Sequence, residues 1–120
     1  MTVETPEMES ALIDRSALKM TGQRMVNAMI GKYVVVRTYS AGVHVGVLES
    51  HNGSVVTLTE SKRIWSWTGA NTLNEIANHG VQKGSRVSES VVRNTLSGAI
   101  ETLECSNEGE ANLRASSWMK

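Results

Sequence analysis

Lys32-Tyr33-Val34-Val35-Val36-Arg37-Thr38-Tyr39 crowds β-branched and aromatic residues too densely for an amphipathic helix, so it reads as a buried β-strand. Ser40-Ala41-Gly42 follows as a turn or bulge. Val43, Val45 and Val47 then alternate with His44, Gly46 and Leu48 in a second strand, and His51-Asn52-Gly53 is a hairpin signal, because Asn-Gly tolerates the positive φ angles of a tight turn. The partner strand runs over about 54–60. After it, Arg63, Trp65 and Trp67 fall on one face of a short strand and Ile64 and Ser66 on the other.

Downstream, Thr68-Gly69 ends that strand. Thr72 with Glu75 three residues later forms a capping box that leads Leu73, Ile76 and Ala77 into a short helix near 72–79, closed at His79-Gly80. Val87, Val91 and Val92 give another strand region, and Ala99 to Cys105 closes the sheet with Ile100 and Leu103 as core candidates. Residues 106–120 read as a polar tail anchored only by Leu113 and Trp118, flexible or docked on a partner chain. Upstream, Pro6 with Glu7 and Glu9 suits a first helical turn; Met8 and Leu12, then Met25, Val26, Met29 and Ile30, give a helical segment over 1–31, broken at Thr21-Gly22 and stopped at Gly31. The expected fold is therefore α+β, with residues 32–105 forming a small antiparallel sheet of about five strands, open or barrel-like, plus an N-terminal helical segment and one short inserted helix. At 120 residues with 40% apolar content, this is one domain with a real core.

Composition excludes several functions. Twelve Lys+Arg balance twelve Asp+Glu, which argues against a nucleic-acid coat protein despite the basic run Arg15, Lys19, Arg24, Lys32 and Arg37. No stretch approaches the roughly 18 apolar residues of a membrane span, the acidic beginning lacks a secretion signal, and the single Cys105 fits a reducing cytosol. His44, His51 and His79 show no metal-ligand spacing, and neither Cys105 with His44 nor Glu101 with Glu104 makes a convincing catalytic pair, so no catalytic residue, metal or cofactor is assigned and the chain is read as a non-enzyme. Ser40-Ala41-Gly42 is followed by no helix and no Gly-Lys-Ser, which removes the P-loop and dinucleotide readings and leaves a bulge or a nest of N–H groups.

The chain has no Phe, so each of its few aromatics carries weight. Two indoles and a guanidinium at spacing two in Arg63, Trp65 and Trp67 suit a planar anion, with core packing of both indoles as the competing account. Arg37 and Tyr39 share a parity and are expected to extend the same surface if their strand is a neighbour. The methionines of the first thirty residues serve helix packing or a subunit contact, and a homo-oligomer is expected.

Three strings, V-R-T-Y-S-A-G-V (36–43), R-I-W-S-W-T-G-A (63–70) and A-I-E-T-L (99–103), resemble a family of short, uncharacterised proteins of tailed phages and prophages, over about two thirds of the chain. Ser66 departs from the bulky aromatic expected in many relatives. The resemblance implies a virus-encoded protein working in the bacterial cytoplasm or carried in a virion, and it transfers no site residue. The expected function is non-enzymatic binding: sequestering a nucleotide-like ligand through Arg37, Tyr39, Arg63, Trp65 and Trp67, or blocking a host defence factor. The alternative is a structural or virion-associated assembly module without a small-molecule ligand.

Overall fold

The computed structural model describes residues 28–117, so the helical segment expected over most of 1–31 and the anchor Trp118 lie outside the described residues. Three strands, β1 (Tyr33–Thr38), β2 (Val43–Asn52) and β3 (Val55–Ser66), form an antiparallel meander; α1 (Leu73–His79), β4 (Arg86–Val87), β5 (Val91–Leu96), β6 (Ala99–Glu104) and α2 (Asn107–Ala115) follow. The β2–β3 hairpin is present, with Asn52 opposite Val55 and Gly53-Ser54 as its central pair, one residue later than Asn-Gly. Gly53 supplies the positive φ of 62° that this turn demands.

The sheet has six strands in the order β4-β3-β2-β1-β6, with β5 on the same edge of β3 as β4 but opposite Val56 to Ser61. It does not close, which corrects the barrel-like alternative. Since β5 is antiparallel to β3 and β6 to β1, the two successive strands run in the same direction. Pairing parallel strands needs a crossover of a dozen or so residues, and only Ser97-Gly98 lies between them.

The meander is apolar on both faces. Tyr33, Val35, Val45, Ile64 and Val87 form one core with Ile76, Ala77, Val81 and Leu113, under the helices. Val34, Val36, Leu48, Val56, Leu58 and Leu96 form a second core on the opposite face. This explains the unbroken valine run, since a strand covered on both sides shows no polar alternation.

Residues 106–120, expected as a polar tail, instead contain α2. Ser106 accepts from the Gly109 N–H as N-cap at 2.9 Å, and fully buried Leu113 enters the helix-side core. The helix docks on its own chain: Gly109 meets the Ala77 carbonyl of α1, and the Asn112 side chain both accepts from and donates to the Val81 backbone, at 2.8 and 2.9 Å. Removing α2 therefore removes part of the core, whereas the expectation was a polar tail that is flexible or docked on a partner chain.

A bulge in β3 prepares the other half of that docking. The register shifts between Val45 opposite Lys62 and Val47 opposite Thr59, and Glu60 adopts a φ of +51°. Gly46 is required opposite it, because a Cβ there would stand 2.8 Å from the Thr59 carbonyl oxygen. Glu60 accepts from Arg114 at 2.6 Å, while Lys62 Nζ donates to the Leu113, Arg114 and Ser116 carbonyls at 3.1, 2.8 and 2.9 Å. Lys62 is thus the C-terminal cap of α2. Lys62→Met is expected to cost about 1–2 kcal/mol, since three helix-end carbonyls lose a charged donor. Chemical denaturation with the midpoint read by circular dichroism checks it; an unchanged midpoint would show that water replaces the lysine.

Candidate functional site

On the helix-side face, chemistry is quiet. Cys105 packs against that core, and burial first, then Glu110 and Glu104, push its thiol up to about 12. It is therefore protonated at neutral pH and unsuited to attack. Burial likewise raises the Tyr33 phenol to about 12, with the Arg114 guanidinium 4.7 Å above its ring. His44 is not near Cys105 in the sense a catalytic pair needs, since Val36 opposite His44 puts the imidazole on the other face of the sheet. Glu101 opposes Arg37 and Glu104 opposes Val34, so these carboxylates also take opposite faces. Among the described residues no group of three His, Cys, Asp or Glu is gathered for a metal, and no helix is long and apolar enough to cross a membrane.

The expected five-residue surface divides. Arg63 and Trp65 stay together, at the wall of an open cleft of about 540 Å³ whose other side is Ser40, Ala41 and Gly42. Trp65 is 63% exposed. Trp67 is elsewhere: between Ile64 opposite Val87 and Ser66 opposite Arg86 the register slips by one residue, which breaks the alternation at Trp65. The Trp67 indole then packs against the helix-side core and donates to the Ala70 carbonyl at 3.2 Å. The expectation that both indoles share a face is corrected by this bulge.

Arg37 is also separated from Arg63. β2 lies between their strands, and Arg37 opposes Val43 whereas Arg63 opposes His44, so the two guanidinium groups belong to opposite faces. Arg37 is ion-paired with Glu101 at 3.3 Å. Tyr39 is 85% exposed in the β1–β2 connection, its N–H donating to Gly98 O at 2.8 Å, and it does not line the cleft.

The cleft wall is a locked turn. Thr38 Oγ1 donates to Gly42 O and accepts from Ala41 N–H, both at 2.8 Å, while the Ser40 and Gly42 N–H groups have no acceptor among the described residues. Beneath the turn, His44 Nε2 sits 2.9 Å from Ala41 O, and its Nδ1 3.4 Å from the Asn94 amide. The charges tell the rest. Arg37, Arg93 and Arg114 each hold a carboxylate, whereas the Arg63 guanidinium has none among the described residues. A cation without a counter-ion, an exposed indole and free backbone donors in one cleft are the elements of a site for a planar anion.

Burial, opposed by the Ala41 hydrogen bond and reinforced by Arg63, lowers the His44 affinity for protons. The unfolded chain takes up this proton first as pH falls through about 6.5, so stability contributed by neutral His44 is present above that pH and declines below it. Thermal melts from neutral to mildly acidic pH should show an acid loss that is smaller in His44→Gln; equal slopes would remove His44 from the account.

The sequence puts Arg63 and Trp65 on one strand face but leaves the Ser-Ala-Gly turn apart from them, since their proximity depends on the register of β2 against β3. No curated protein matches the chain. Residues 31–113, the sheet and most of α2, match the family model of the domain of unknown function DUF6948, and the chain belongs to that family.

Proposed function

We propose that this protein is a non-enzymatic binding protein that takes a small planar anion of nucleotide type between Arg63, Trp65 and the Ser40–Gly42 turn. The observation that carries this reading is a guanidinium with no carboxylate partner among the described residues, beside an exposed indole in a single cleft. The base would stack on Trp65 while phosphate oxygens accept from Arg63 and the turn amides. The resemblance to phage and prophage proteins supports a virus-encoded role in the host cytoplasm or the virion, with sequestration of a nucleotide-like ligand as the mode of action. The test is tryptophan fluorescence against mono-, di- and cyclic nucleotides. The response should disappear in Trp65→Phe and persist in Trp67→Phe; no response across the panel at millimolar nucleotide would overturn the proposal.

A second reading, an oligomeric assembly or host-factor-blocking module, is favoured by one feature. Among the described residues β5 pairs with β3 alone, which leaves its outer edge open there, and Val92 on that strand is 80% exposed. Such an edge is a template for strand addition. Val92→Lys should then lower the mass measured by light scattering without changing the melting temperature; a monomeric wild type with no edge-dependent partner would discard this reading.

A further inference from the structure

We infer that His44 senses occupancy of the cleft: an anion bound beside Arg63 allows the imidazole to take a proton, so affinity for that anion rises as pH falls. This rests on the cleft being an anion site. The geometry is a cross-strand pair. His44 of β2 and Arg63 of β3 are directly opposed in the antiparallel register and therefore share a face, where directly opposed side chains come within about 5 Å at their Cβ atoms. His44 is 1% exposed, so water screens this pair poorly at the imidazole end.

The groups around the ring leave the proton one site. With neutral His44, Nε2–H donates to the Ala41 carbonyl and Nδ1 accepts from the Asn94 amide. A second proton goes to Nδ1, and Asn94 accommodates it by turning its amide to present oxygen, an exchange of acceptor and donor without a change of shape. β1 offers Val36 at this position, the turn offers only a carbonyl, β5 offers the neutral Asn94, and β3 offers Arg63. Burial does most to depress the proton affinity of this ring, and Arg63, directly opposite, is the charge that adds to that depression. An anion on Arg63 cancels the repulsion. By linkage, whatever raises proton affinity on binding the anion raises anion affinity on binding the proton.

The consequence separates His44 from the other histidines. His79 lies 3.2 Å from Glu108 at the exposed junction of α1 and α2, helices that cover the face of the sheet opposite to Arg63.

Sulfate is the probe, because its charge is constant over the range in which histidine titrates. Ring-proton NMR of the full chain, in sulfate and in chloride at equal ionic strength, should show the His44 midpoint rising in sulfate. Arg63→Gln should raise the His44 midpoint without sulfate and abolish the sulfate response. Sulfate affinity of the wild type should rise about three- to tenfold between pH 8 and pH 5, a change that His44→Gln, which retains a donor and an acceptor, should flatten. If sulfate binds in an Arg63-dependent way and the His44 midpoint does not move, the coupling is wrong and the anion cleft stands. If sulfate produces no Arg63-dependent shift at any pH, the cleft reading and the coupling fall together.

Discussion

Gly109→Ala is expected to destabilise the protein by about 3 kcal/mol, lowering the melting temperature by about 12 °C, the upper range for overpacking. Gly109 is buried in α2 where that helix crosses α1, and an added Cβ meets the Ala77 carbonyl with Asn78 backbone behind it. A flexible side chain would move aside, but a helix carbonyl cannot without breaking its turn. The methyl therefore lifts α2, which withdraws Leu113 from the core and Lys62 from the helix end. Leu113→Ala, by comparison, leaves a cavity and is expected to cost about 3–5 kcal/mol with α2 still docked. Thermal unfolding followed by circular dichroism measures both. A Gly109→Ala melting temperature within about 2 °C of wild type would show that the two helices do not meet as described.

Arg63→Gln should weaken nucleotide binding by about 10- to 100-fold, the value of hydrogen bonds between a guanidinium and phosphate oxygens in a partly screened cleft. Arg37→Gln should change it less than about twofold, because that guanidinium is on the other face and exposed with its own carboxylate. The contrast matters more than either value. By sequence parity Arg37 and Arg63 are equivalent members of one surface, whereas the observed register puts only Arg63 at the cleft. Isothermal titration with the nucleotide selected by fluorescence discriminates them; equal losses would restore the single surface and overturn the cleft.

The limits of sequence reading follow from local and non-local physics. The valine run, the Asn-Gly hairpin and the Thr72–Glu75 cap are encoded within a few residues, because β-branched side chains, positive-φ turns and orphan helix donors act at short range. α2 was missed because the only residues it buries are Leu113 and a glycine; it is stabilised by Lys62, Glu60 and the Val81 backbone, which come from distant segments. The separation of Trp65 from Trp67 was missed for a related reason. A bulge is set by what lies across the sheet, here β4, and a shift of one residue reverses every side chain beyond it.

The amino-acid sequence by itself determined the α+β class, the meander of β1 to β3, the capped inserted helix and the chemical character of Arg63 and Trp65. The tertiary structure alone decided that the sheet stays open, that α2 docks with Leu113 in the core, and that Ser40–Gly42 meets Arg63 and Trp65 at one cleft with His44 buried beneath the turn. Backbone preference and hydrophobic period are properties of neighbouring residues, whereas register, bulges and the presence or absence of a counter-ion depend on which distant strands come to lie side by side.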